Sequence, residues 1–181
     1  EFYLNLKNDK VALEKYYLEK QKSGQEYSAA IRVTLHDINP IIDLADINLS
    51  ISHHTFVEGK FSNGYTSIAD VFTQIDTIRY EGLLTLNNQI EFTGSKIRDS
   101  TNVLAMLTIT SDQQIMKGFS IKNLLAKGIW NKDHIEVGID FDQKERNNLV
   151  RLKAEIDFLT DSTKIKILPS RIRALDKEWL I

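Results

Sequence analysis

His134-Ile135-Glu136-Val137-Gly138-Ile139-Asp140-Phe141-Asp142 alternates apolar and polar residues with a period of two. Successive side chains of a β-strand point to opposite faces. The stretch therefore makes a ribbon with Ile135, Val137, Ile139 and Phe141 on one face and Glu136, Asp140 and Asp142 on the other. What covers the apolar face decides the fold.

The same period returns along the chain. DINLSIS puts Ile47, Leu49 and Ile51 together, opposite Asp46, Asn48, Ser50 and Ser52. NQIEFTG groups Ile90 with Phe92. VRLKAEIDF sets Val150, Leu152, Ala154, Ile156 and Phe158 against Arg151, Lys153, Glu155 and Asp157. KIKI sets Ile165 and Ile167 against Lys164 and Lys166. NVLAMLTIT is apolar on both sides, with Val103, Ala105, Leu107 and Ile109 against Leu104 and Met106, which predicts a strand covered on both faces.

Short polar stretches separate these runs: SNG at 62–64, LNNQ at 86–89, RDST at 98–101, SDQQ at 111–114, NKDH at 131–134, QKERNN at 143–148 and TDST at 160–163. They carry turn chemistry. Their spacing predicts an antiparallel meander, because parallel strands need crossovers of a dozen or more residues. Helix is scarce. DKVALEKYYLEKQKSG, at 9–24, reads either as helix or as strand. DINPIIDL predicts one helical turn with Pro40 near its start, where a missing N–H costs nothing. SIADVFTQ predicts another, with Ser67 as its N-cap.

The 181 residues carry no linker or low-complexity segment and read as one β-rich module over 1–181. The opening EFYLNLKN is strand-like and the closing DKEWLI is apolar, so the expectation is a piece of a longer polypeptide. A net charge of −2, without clustered basic residues, argues against nucleic acid as a partner. The absence of cysteine removes disulfides, thiolate metal sites and cysteine nucleophiles. No run of about 18 apolar residues occurs, so no helical span is predicted.

Nothing nominates a catalytic, cofactor or metal site. His53 and His54 are adjacent, and neighbouring strand residues diverge, so they are read as a solvated turn; His36 and His134 stand alone. Glu155 and Asp157 share a face with Arg151 and Lys153, which reads as a mixed-charge surface before it reads as an acid–base pair. Glycine-rich phosphate loops and GxSxG or HExxH motifs do not occur. Trp130 and Trp179 read as packing or edge residues.

The succession DSTNVLAMLTIT, FSIKNLLAKGIW, DHIEVGIDFD, NNLVRLKAEIDFL and TKIKILPSRIRALDKEWLI resembles the TamB-like proteins of Bacteroidota-type bacteria, members of the wider AsmA-like, bridge-like group. The ending ILPSRIRALDKEWLI resembles a recurrent strand, Ser-containing turn and Trp-bearing strand of that family, and Glu58-Gly59-Lys60-Phe61 resembles its xGxF step. The resemblance is best from about Thr101 to Ile181, and residues 9–24 fit it least. It implies an elongated β-taco, apolar inside and polar outside, within a periplasmic protein anchored in the inner membrane. It also implies phospholipid transport between membranes and outer-membrane protein assembly with an Omp85-type barrel partner. The partners of this segment would then be phospholipid acyl chains and adjacent segments of the same chain, with no enzymatic role. The sixteen apolar residues from Ile47 to Ile167 set out above in DINLSIS, NQIEFTG, HIEVGIDFD, VRLKAEIDF and KIKI would line the lipid groove.

About ten amphipathic strands without a covering helix leave three solutions: a β-sandwich, a closed barrel, or an open trough. A self-contained sandwich or barrel that binds carbohydrate or protein is the main alternative to the lipid groove. An enzyme on a β-scaffold and a purely structural repeat are the others.

Overall fold

The computed structural model describes residues 26–117, 119–143, 147–174 and 177–181. The ambiguous stretch 9–24 lies outside them. The elements are β1 (Tyr27–Leu35), α1 (Asn39–Leu44), β2 (Leu49–Ile51), β3 (Thr55–Asn63), β4 (Thr66–Tyr80), β5 (Leu83–Ile97), β6 (Val103–Met116), β7 (Phe119–Asn131), β8 (His134–Gln143), β9 (Asn148–Phe158), β10 (Thr163–Ile167), β11 (Arg171–Ala174) and β12 (Lys177–Leu180).

All twelve strands belong to one antiparallel sheet, in the order β1-β3-β4-β5-β6-β7-β8-β9-β11-β12. From β3 to β9 the chain is a meander, as the short polar connections predict. Tight turns make this possible: Glu81 and Gly82 join β4 to β5 with φ of 45° and 84°, the two positive values that a hairpin turn matching strand twist requires. β1 and β12 end the sheet without pairing to each other. Among the described residues the sheet is therefore open: it does not close into a barrel, and no second sheet packs on it. No large side chain among the described residues is fully buried, and the buried apolar residues are only Ile42, Ile75, Ala105, Leu149 and Val150. Leu104 and Met106 have no covering layer either; Met106 and Leu107, on opposite faces of β6, are both 38% exposed.

Two strand lines are interrupted, each at a bulge. β10 and β11 both pair β9, but Ile167 to Arg171 spans one residue more than Ala154 to Arg151 opposite. Pro169 sits in this gap, where its missing N–H breaks no ladder bond. The Ser170 hydroxyl repairs the ladder: it accepts from the Lys153 N–H at 3.1 Å and donates to the Leu168 carbonyl at 2.7 Å. β2 and β3 likewise share β4, with the break at Ser52–His54. The helical turn predicted in DINPIIDL is α1, with Pro40 in its first turn. Asn39 pins it to β2, donating from Nδ2 to the Ile51 carbonyl at 2.9 Å and accepting from the Ile51 N–H at 2.8 Å.

Four expectations are corrected. SIADVFTQ is not a helix but part of β4, and Ser67 caps nothing; its hydroxyl donates to Asn63 Oδ1 at 2.7 Å. Its apolar residues alternate once Ala69, Val71, Thr73 and Ile75 are read as one face. Ile47 lies outside β2 and is exposed. LNNQ and SDQQ are not turns but lie inside β5 and β6. They mark a line where the ladder skips a pair. Thr77↔Leu86 and Ile75↔Asn88 pair, but Asp76 and Asn87 between them do not. The same gap falls between Asn87 and Asp112, and between Asp112 and Asn123.

The cause is backbone conformation. Asn87 and Asn123 have φ of 51° and 56°, and His54, in the break beside Asp76, has φ of 60°. Asn and His are among the side chains that tolerate this left-handed region best. Buried polar side chains serve the carbonyls beside the gap. Asn88 Nδ2 donates to the Ile75 carbonyl at 3.0 Å, Ser111 Oγ to the Leu86 carbonyl at 3.0 Å, and Gln114 Nε2 to the Ser111 carbonyl at 3.0 Å. A buried carbonyl without such a donor would cost about 1–3 kcal/mol.

Replacing Asn87 tests the left-handed requirement. Asn87→Gly should leave stability nearly unchanged, whereas Asn87→Val should cost about 1–2 kcal/mol, because a branched Cβ clashes in this region. Urea denaturation reads both; equal midpoints for the Gly and Val variants would contradict the requirement.

Candidate functional site: an open apolar face

Residues directly opposite in an antiparallel ladder share a face, so the register assembles the site. One transverse row runs Thr73, Ile90, Ile109, Ala126, Ile139, Leu152. The next runs Val71, Phe92, Leu107, Gly128, Val137, Ala154, Ile167. A third runs Ala69, Gly94, Ala105, Trp130, Ile135, Ile156, Ile165. Phe141 and Val150 pair in the row nearest the line of left-handed residues, and Phe158 lies at the opposite end of β9. The predicted lining residues of β5 and β8–β10 thus converge on one surface. Leu49 and Ile51 do not join these rows: they pair Tyr80 and Ile78 beyond the line. Ile47, outside β2, lies beside Leu49, Tyr80 and Leu83, away from the three rows.

The sequence reading left out half of the face. Val71 on β4, Ala105, Leu107 and Ile109 on β6, and Ala126, Gly128 and Trp130 on β7 complete it. The signal was present in AKGIW, whose alternation is carried by small residues and so looks weakly apolar. Those small residues shape the surface. Phe92, Ala105, Leu107, Ile109, Ala126, Lys127, Gly128, Trp130, Ile135 and Val137 surround an open hollow of ≈ 360 Å³. The Phe92 ring lies over Gly94, where an added Cβ would stand 2.8 Å from Cζ. Nothing lies within 4 Å of a Cβ added at Gly128, so the floor drops between Leu107 and Val137. Along β10, Ile165 and Ile167 are 65% and 56% exposed. Such a surface offers dispersion contacts and removal of apolar area from water, with no directional recognition.

The opposite face is charged and paired across strands. Arg32 reaches Glu58 at 3.1 Å, Lys166 reaches Glu155 at 3.5 Å, and Arg171 Nε reaches Glu178 at 2.8 Å. The last contact holds Glu178 below the usual carboxylate range and Arg171 above its usual value. Exposed pairs of this kind stabilise little individually; together they keep one face wet. Asp37 is held low by hydrogen bonds from the Asn39 N–H and side-chain amide.

The histidines fall into two places. His36 and His54 meet edge to face, ring centroids 5.1 Å apart, and His53 Nε2 stands 3.9 Å from Asp37. His134 Nδ1 contacts Asp157 Oδ1 at 2.6 Å, with Glu136 3.7 Å from Nε2. Among the described residues no group of three or more His, Cys, Asp or Glu side chains is placed to hold a metal ion. No described helix is long and apolar enough to cross a membrane. Comparison with protein-family models, with characterised proteins and with solved structures finds no match to this chain.

The His134 pair gives a pH signature. The hydrogen bond to Asp157, then the surrounding carboxylates, raises the His134 pKa above its ordinary 6.5. Its stabilisation is fully present below 6.5 and is lost as pH rises through the raised value. The urea midpoint of the native chain should therefore exceed that of His134→Gln most at pH 5 and least at pH 8. A difference independent of pH would contradict the pairing.

Proposed function

We propose that this chain is a lipid-shielding segment: its apolar sheet face holds the acyl chains of phospholipid while the charged face stays in water. The observation that carries the reading is an aliphatic face spanning β4 to β10 that no second layer of the described chain covers. An apolar surface of this extent marks an interaction site. Acyl chains fit its chemistry. They gain about 0.8 kcal/mol per CH2 removed from water. They ask for no hydrogen-bond donor, and the three apolar rows of the face offer no charged side chain.

The likeness of the strand succession to TamB-like proteins agrees with this reading. In that frame the chain is an internal segment of a periplasmic, inner-membrane-anchored protein that moves phospholipid toward the outer membrane and supports outer-membrane protein assembly beside an Omp85-type barrel.

A photo-crosslinking amino acid placed at Ile139, and separately at Asp140, tests the reading in the chain's native cells. These neighbours point to opposite faces. Lipid adducts found by mass spectrometry at Ile139 and not at Asp140 are the expected result. Adducts at Ile139 confined to protein would overturn it.

A further inference from the structure

We infer that the line His54, Asp76, Asn87, Asp112, Asn123 and Asp142 is a fold line, along which the sheet bends into two walls that face a common groove. The inference rests on the proposed function for the identity of the groove's occupant, but not for its geometry.

Four observations carry it. The left-handed residues recur in every second strand: His54 precedes β3, Asn87 lies in β5 and Asn123 in β7. In an antiparallel meander these strands run in one direction, so each left-handed residue turns its strand in the same sense. From β4 to β7 the ladder loses its pairs along this line and resumes beyond it with no change of register. An inserted residue is therefore not the cause there; at the His54 end the β2–β3 line carries one extra residue opposite β4.

The third concerns burial and the fourth the apolar pattern. On one side of the line Ile75, Asn88 and Ser111 are buried. On the other, the buried groups are Gln114 and the Thr85 hydroxyl, each three residues along its strand from Ser111 and Asn88. Unbroken alternation would instead bring Leu86, Gln113 and Lys122 to that face. Gln113 turns elsewhere, and its Nε2 donates to Ser120 Oγ at 2.9 Å. Finally, the apolar sequence changes phase at the same place: Ile75 is followed by Ile78 and Tyr80 on β4, and Leu124 is preceded by Ile121 on β7.

The inside of the bend is thus lined from both sides. The first wall is the three apolar rows. The second begins with Ile78, Thr85, Gln114 and Ile121, which stand in one row. Two residues further along their strands come Tyr80, Leu83 and Met116. The Asn88 and Gln114 amides and the Ser111 hydroxyl form the floor between them, each donating to a backbone carbonyl, while the buried Thr85 hydroxyl beside them has no hydrogen-bond partner. An acyl chain in this groove meets side chains of both walls, and the second wall adds contact residues that simple alternation assigns to the outer surface.

The chain has no native cysteine, so single-site labelling is direct. An environment-sensitive fluorophore is attached in the full chain through Leu124→Cys, Lys122→Cys or Ile121→Cys. It is quenched either by aqueous iodide or by doxyl-labelled phosphatidylcholine. A fold line predicts weak iodide quenching at 124 and 121 and strong quenching at 122. Strong iodide quenching at 121 with weak quenching at 124 and 122 would mean unbroken alternation and would overturn the inference. Ala126→Cys replaces the first site if its label prevents folding, since the two share a face. The doxyl lipid reports separately on the occupant: the iodide pattern without doxyl quenching at any site keeps the fold line and removes the lipid.

Discussion

A β-strand that alternates apolar and charged residues must cover one face, and the described residues of this chain include no second layer with which to do so. The rest of the structure follows from that constraint. α1, six residues long, serves the β2 edge and cannot cover a sheet. The two end strands of the described sheet, β1 and β12, do not pair with each other. Stability then comes from the continuous ladder and from lateral contact between neighbouring apolar side chains. This explains why most residues of the central strands are half-buried and so few are buried.

Small residues and polar floor groups have complementary roles in this frame. Gly128 and Ala126 hollow the apolar face and Gly94 makes room for the Phe92 ring, so that the large side chains Phe92 and Trp130 border a depression. Asn88, Ser111 and Gln114 keep the backbone satisfied where left-handed residues open the ladder. An apolar residue at these three positions would leave carbonyls without a donor. The polar floor is thus a consequence of bending a sheet, not an exception to its apolar face.

Much of this was legible in the sequence. HIEVGIDFD and VRLKAEIDF gave both the strand and its faces, because every second residue there is unambiguously apolar or charged. Pro40 marked α1 correctly. The interior breaks were harder, since LNNQ and SDQQ have the composition of turns and only the register reveals that the strand runs on through them. SIADVFTQ was misread because Phe72 shares its strand with Val71, so neither face looks clean. Ala126 and Gly128 escaped notice because a site built by small residues has no hydrophobic signature. The register of twelve strands, which brings distant rows together, is a property of pairing that local pattern does not contain.

The most direct measurement of the central claim is the phospholipid content of the chain purified without denaturant, counted by native mass spectrometry. The account predicts bound phospholipid that is lost when Val137 and Ile139 are both changed to Asp, and retained when Glu136 and Asp140 are both changed to Lys. A folded chain that carries no phospholipid and takes none up from vesicles would contradict it.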